Sequence, residues 1–293
     1  MSDEAKTSSR ERSAVTLEQA AWVAVGLLAA ALRFLQLGLR PLSEAEAVQA
    51  LAAHRFTQGL VQTAPTGTLP ALFTGNVVGF SLMGASDAIT RWLPALAGLI
   101  LVLLPYGLRH RLGRGGALAA ATLLALSPSA VHFSRTLDSA ILVAVAGLAL
   151  TVGLLDYLDT GRRAALYLAA VALGLGLSAG PGTFTLLLVF AAFALVLYVS
   201  QRLLDREWGW SSLAASWDAL RDEKGLLAQT GVVAAATFGL AVTTLILHPA
   251  GLGHAADLIG TWALGFLPDA NSQPFFYPLL LLLRYEPLIM LLG

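Results

Sequence analysis

The sequence lacks cysteine altogether and has few charged residues. Asp, Glu, Lys and Arg make up 12% of the 293 residues, about half their share in soluble domains, and the formal net charge is zero. The absence of cysteine excludes disulfides and thiolate metal sites. Without a basic surface, we expect no nucleic-acid partner. The hydrophobic content of 57% and the mean hydropathy of +0.73 instead predict an integral membrane protein.

The long apolar runs predict an all-α, polytopic transmembrane helical bundle. A span needs about 20 apolar residues, and the chain supplies about eight such segments. They cover residues 17–38, 90–108, 117–133, 139–158, 164–178, 183–200, 229–248 and 278–292. Arg33 lies near the end of the first segment, where we expect it to snorkel. Residues 1–16 predict a disordered cytoplasmic tail, and residues 17–293 one transmembrane module, expected to lack a C-terminal part after Gly293.

The segment at residues 68–84 decides the topology. It is apolar but short, and it either crosses the membrane, lies along the interface or re-enters. If it does not cross, every later basic cluster faces the inside, and the outer loop at 249–278 contains no Lys or Arg. We therefore predict interfacial helices in the first outer loop, a cytoplasmic N-terminus and a multi-pass protein of a bacterial inner membrane. Trp208, Trp210 and Trp217 in the inner loop suggest either an amphipathic helix or aromatic anchors.

The first outer loop carries an acidic helix at residues 43–58, where we place the working surface. Glu46 and Glu44 are candidate catalytic residues, and Arg40 and His54 candidate substrate-binding residues. Proton transfer from an acceptor requires such a carboxylate. Glu46 also completes the pattern Ser43-x-x-Glu46, which alone predicts a capping box.

Later outer segments add further candidates. Asp138 is a candidate catalytic residue or a simple helix N-cap, and Arg135 is a phosphate ligand or a headgroup anchor. His132 and Glu286 complete the substrate-binding set, with local neutralisation of Glu286 by Arg284 as its alternative. The histidines lack zinc-ligand spacing, so we expect no metal site and no cofactor, and nothing supports a divalent cation.

Several short motifs follow one another along the chain. They are Arg40-Pro41-Leu42 before an acidic pair, Thr90-Arg91-Trp92-Leu93-Pro94, Leu126-Ser127-Pro128, Ser134-Arg135-Thr136-Leu137-Asp138 and Tyr285-Glu286-Pro287. In this order they resemble the membrane glycosyltransferases of the GT-C fold. The chain is similar to the protein O-mannosyltransferases and aminoarabinose transferases, and its late pattern to a branch described as flippase-activity-associated.

The resemblance implies a polyprenyl-phosphate-linked sugar donor, bound with membrane lipids at the outer face, and an inverting transfer with a first-loop carboxylate as general base. Two departures stand out. The Asp usually assigned as this base falls on Ala45, and the Lys often found near Gly180 is absent. Three hypotheses follow: a glycosyltransferase, a catalytically inactive structural or assembly subunit of a membrane complex, and a transporter of lipid-linked sugars.

Overall fold

A computed structural model describes residues 17–60, 69–204, 225–267 and 276–287, and all their regular structure is helical. In chain order the helices are α1 Leu17–Phe34, α2 Glu44–Thr57, α3 Pro70–Met83, α4 Asp87–Thr90, α5 Trp92–Leu103, a 3-10 turn Leu104–Leu108, α6 Arg109–Leu126, α7 Pro128–Ser134, α8 Ala140–Thr160, α9 Arg163–Ala179, α10 Gly182–Leu204, α11 Leu226–Val242, α12 Gly251–Leu264 and α13 Tyr277–Tyr285.

Helices α1, α5 and α6 pack around a core of small residues. Ala29, Val102 and Ala121 are fully buried there, and this pairing makes α5 and α6 antiparallel. The chain reverses through the 3-10 turn and through Gly113, whose φ of 72° interrupts the start of α6. Because φ is positive, a residue with a side chain would be strained at Gly113.

Helices α8, α9 and α11 approach one another closely at glycines. A Cβ added to Gly153 would lie 2.7 Å from the carbonyl oxygen of Ala165, and one added to Gly174 would lie 2.9 Å from the amide nitrogen of Phe238. Small residues allow such backbone contact between apolar helices, where dispersion rather than water drives association. These contacts hold three of the apolar helices in one layer behind the first loop.

The two helices of the first loop are α2 and α3. The capping box of α2 is confirmed, because the Ser43 side chain accepts from the Glu46 amide while the Glu46 carboxylate accepts from the Ser43 amide. Helix α3 is buried on most of its circumference and packs against α2, α9 and α11. It thus has no broad exposed face, which fits a re-entrant helix better than one lying along the interface.

Helices overlap every predicted span, and the all-α membrane bundle is confirmed. Among the described residues, four helical stretches are long and apolar enough to cross a membrane: Leu17–Phe34, Trp92–Leu126, which contains the turn between α5 and α6, Ala140–Thr160 and Gly182–Ser200. Three shorter apolar helices are Pro70–Met83, Arg163–Ala179 and Leu226–Val242. The predicted tail at 1–16, the inner-loop tryptophans and residues 288–293 lie outside the described residues.

The prediction that Arg33 snorkels was wrong. Its side chain is fully buried and points into the bundle, where it donates to the carbonyl oxygens of Leu124 (3.1 Å) and Ala125 (3.4 Å). Those carbonyls end α6 and have no partner within their own helix. A buried cation at a helix C-terminus also complements its dipole.

Candidate functional site

A buried ion pair between Glu46 and Arg91 lies at the centre of the first loop. Arg91 follows α4, and its Nε and Nη2 donate to the two carboxylate oxygens of Glu46 at 2.9 and 2.8 Å. Its remaining N–H groups bond the carbonyl oxygens of Leu37, Arg40 and Pro41. All five donors of the guanidinium are therefore satisfied. This one side chain fastens the segment after α1 to α2.

The Glu46 carboxylate accepts two further hydrogen bonds, from the amides of Ser43 and Leu137, each at 2.9 Å. Burial alone would raise the pKa of Glu46, but the hydrogen bonds from Arg91, Ser43 and Leu137, with the charge of Arg91, outweigh it and lower the pKa to about 2. Such a carboxylate stays ionised and is a weak base at neutral pH.

The bond from Leu137 brings the loop between α7 and α8 to the first loop. Asp138, the next residue, is exposed, and its Oδ1 accepts from the Ala140 amide at 2.7 Å. Ser139 is the N-cap of α8 and its side chain makes no capping bond, so the interpretation of Asp138 as the N-cap was wrong. Asp138 lies one residue before the cap and accepts from the first amide of the helix. The acidic residues of the two predicted outer segments thus lie at the same end of the bundle, with the Asp138 carboxylate open to solvent.

The other first-loop candidates surround this cluster. Glu44, Ala45 and Arg40 are exposed, and neither Glu44 nor the Arg40 side chain has a polar partner among the described residues. His54 is half-buried, with its Nε2 3.0 Å from Nε2 of Gln58. Glu44 and Arg40 are therefore freely available charges of this loop.

Arg135 caps the end of α1. Its Nη1 donates to the carbonyl oxygens of Leu32 (2.8 Å) and Leu35 (2.9 Å), and its Nη2 to that of Gln36 (3.2 Å). Gln36 has φ of 57°, the left-handed conformation that often ends a helix. Most of the N–H donors of Arg135 therefore bond carbonyl oxygens of the protein. His132, on the short helix α7 that precedes Arg135, is exposed.

Glu286 is buried after α13 and contacts the start of α7. Its Oε1 accepts from the Ser127 hydroxyl at 2.5 Å and from the Ser129 amide at 2.8 Å. A carboxylate there satisfies free amides and complements the helix dipole. Arg284 stacks instead on the Tyr285 ring, 5.7 Å from its centroid.

An apolar cavity of about 620 Å³ lies between the helices of the bundle. Helices α3, α5, α8, α9 and α11 line it. Along α5 it runs from Trp92, next to Arg91, to Leu104, a rise of about 18 Å. Leu142, one turn beyond Asp138, also lines it. The few polar side chains in its wall donate to backbone carbonyls, as Thr74 does to Ala241. The cavity is suited to a hydrocarbon chain.

Two histidines lie beside the cavity wall. His248 is buried among Phe56, Phe73 and His254. The His254 ring stacks on the His248 ring, with 6.3 Å between the ring centroids. Burial, with a smaller contribution from His254, lowers the pKa of His248. In the part of the chain that the structure describes, no group of three or more His, Asp or Glu side chains is placed to hold a metal ion.

Sequence reasoning missed Arg91 and the buried role of Arg33 as organising residues. Arg91 lies in the motif Thr90-Arg91-Trp92-Leu93-Pro94, directly before an apolar span, and a cation at such a position is equally typical of a headgroup anchor. Its partner is 45 residues away, and that distance leaves no local pattern.

The comparison with known families agrees with this arrangement. Residues 76–217, close to half of the chain, match the family model described as dolichyl-phosphate-mannose-protein mannosyltransferase. No curated protein and no solved structure matches the chain. The matched segment includes Arg91, Arg135 and Asp138 and begins after the first-loop carboxylates. The chain is thus a helical membrane protein that is similar, over residues 76–217, to the dolichyl-phosphate-mannose-protein mannosyltransferases, which are glycosyltransferases of the GT-C type.

Proposed function

We propose that the protein transfers a sugar from a polyprenyl-phosphate donor at the end of the bundle formed by Glu46, Arg91 and Asp138. The observation that carries the proposal is the apolar cavity, whose wall along α5 begins at Trp92, the residue that follows Arg91. A lipid-linked sugar matches this combination of apolar and charged surfaces, because it has a long hydrocarbon tail and a compact anionic head. Following the charge bias of the loops, we place this end at the outer face and the N-terminus in the cytoplasm.

Within this site, Asp138 is proposed as the general base and Glu46 as a positioning residue. A base needs a carboxylate that an acceptor hydroxyl can reach, and Asp138 is exposed whereas Glu46 is buried and fully hydrogen-bonded. Glu46 acts by holding Leu137, and so fixes the backbone that carries Asp138. Glu44 supplies the second free carboxylate. Arg40, exposed and unpaired among the described residues, is the proposed contact for the donor phosphate.

The base assignment is tested by Asp138→Asn. The amide oxygen can still accept from Ala140, so this hydrogen bond survives while the basic group is lost. We expect sugar transfer from a polyprenyl-phosphate donor to fall by about 100-fold or more. Asp87→Asn is the control, because Asp87 is likewise an aspartate at the start of a helix, where it is the first residue of α4. Equal activity of the Asp138 variant and wild type would refute the role of Asp138.

The tail site is tested by a pair of adjacent substitutions on α11. Ala236 and Ala235 are both exposed, but only Ala236 lines the cavity. Ala236→Trp should fill the cavity and raise the KM for the polyprenyl donor, whereas Ala235→Trp should leave it unchanged. Equal effects of the two variants would show that the tail does not lie there.

A specific observation favours a second candidate, an inactive subunit of a membrane complex. Position 45 is exposed beside Glu46, and an alanine there removes the carboxylate that the family resemblance places at the base position. A subunit would co-purify with other chains in fixed stoichiometry and would show no transfer in either the wild type or the Asp138 variant.

A further inference from the structure

The opposite end of α1 carries a second pocket with a different chemistry. It has a volume of about 540 Å³ and is lined by the start of α1, the 3-10 turn and the start of α6. Glu18 and Arg33 are separated by about 22 Å along α1, so this pocket and the Glu46–Arg91 cluster lie at opposite ends of a membrane-length helix.

The walls of the pocket combine aromatic rings with cations. The rings of Trp22 and Tyr106 meet edge to face at 5.2 Å, and the Arg109 guanidinium lies 4.3 Å from the Tyr106 ring centroid. Trp and Tyr concentrate at the level of lipid headgroups, where a ring meets both hydrocarbon and water. His110 and Arg114 complete the basic side of the pocket.

The charges of this end divide into satisfied and available groups. Arg111 forms a bidentate pair with Asp159, and Arg162 forms one with Asp156. No carboxylate among the described residues pairs with Arg109. Arg114 is 83% exposed and forms a salt bridge with Glu18 at 3.4 Å. Arg109, beside two interfacial aromatic rings, is therefore available for an anion, and Arg114 can also turn to one because so exposed an ion pair is weak.

We propose that this pocket binds the phosphate headgroup of an anionic membrane phospholipid. Its place at the start of α1 and at the turn between α5 and α6 puts it at headgroup depth, with the acyl chains continuing along the exposed faces of those helices. The Arg109 and Arg114 guanidinium groups supply the donors for the phosphate oxygens. Stacking on Tyr106 holds Arg109 in place. The bound lipid anchors the reversal between α5 and α6 and is independent of the proposed transferase site.

The test compares lipid retention by the full chain in micelles that contain equal amounts of phosphatidylglycerol and phosphatidylcholine. Native mass spectrometry counts the lipids that stay bound. Each basic residue contributes about fivefold to the preference for an anionic lipid. The double variant Arg109→Gln/Arg114→Gln should therefore lower the preference for phosphatidylglycerol by about 25-fold, or abolish it if the wild-type preference is smaller than that.

Two further variants make the result decisive. Arg111→Gln/Arg162→Gln removes the same charge from the same end but touches only paired arginines, so its preference should stay within about twofold of wild type. Glu18→Gln removes the one carboxylate of the pocket and should raise the preference, which keeps the test valid if the double variant fails to fold. An absent wild-type preference, an equal loss in the matched control, or an unchanged Glu18 variant would each overturn the proposal.

Discussion

Replacing Glu46 by Gln should destabilise the protein more than any other single charge removal in the first loop. The lowering of the Glu46 pKa from 4.5 to about 2 corresponds to about 3 kcal/mol of stabilisation of the ionised form. The substitution also leaves the Arg91 cation buried without its partner, and breaking a buried pair in this way costs roughly 3–5 kcal/mol. We therefore expect the free energy of unfolding to fall by about 3 kcal/mol or more.

The assay is equilibrium unfolding in mixed micelles, followed by tryptophan fluorescence at pH 7 and below. Glu44→Gln is the matched control, because Glu44 is exposed, and its effect should stay within about 0.5 kcal/mol. Because the folded pKa of Glu46 is depressed, its contribution is present above pH 4.5 and is lost as the pH falls toward 2. The difference between wild type and the Glu46 variant should shrink over that range. Equal stability of the two proteins at pH 7 would refute the reasoning.

Three further changes probe other parts of the structure. Ala45→Asp should leave sugar transfer from a polyprenyl-phosphate donor within about twofold of wild type, because Asp138 already supplies the base; a gain on the order of 100-fold would place the base at position 45 instead. His248→Phe should preserve folding, since Nε2 of His248 has no partner. Because the pKa of His248 is lowered in the folded state, the wild type should lose stability as the pH falls below 6.5. Unfolding measured as a function of pH should show a smaller loss of stability in the variant. Gly153→Ala should lower the free energy of unfolding by about 1–3 kcal/mol through contact with Ala165, whereas Gly231→Ala, with open space around it, should not.

The helices could be predicted from the sequence because apolar length and capping patterns are local signals. The apolar runs matched helices along the chain, and Ser43 with Glu46 marked the start of α2 correctly. The burial of α3 could not be predicted in this way. Its apolar residues fit a lipid contact and a protein contact equally well, and only the packing of distant helices decides between them.

The location of the candidate site could be predicted from the sequence, but the hydrogen bonds and ion pairs within it could not. The carboxylates of the first loop and of the Asp138 loop do converge, because the order of spans brings alternate loops to one end. Local sequence patterns do not distinguish a carboxylate that is paired with a buried arginine from a free one. Glu44 and Glu46 are two residues apart, yet one is exposed and the other holds Arg91. The roles proposed for the individual site residues stay predictions.

The central claim, that a polyprenyl chain occupies the cavity beside Asp138, is tested most directly by photo-crosslinking. A polyprenyl-phosphate sugar with a photoreactive group on its tail is irradiated with the purified protein, and the labelled peptides are identified. We expect labelling within residues 92–104 and 142–149, and its loss when unlabelled donor competes. Labelling confined to the exposed face of α10 between residues 188 and 199, unaffected by competitor, would contradict the account.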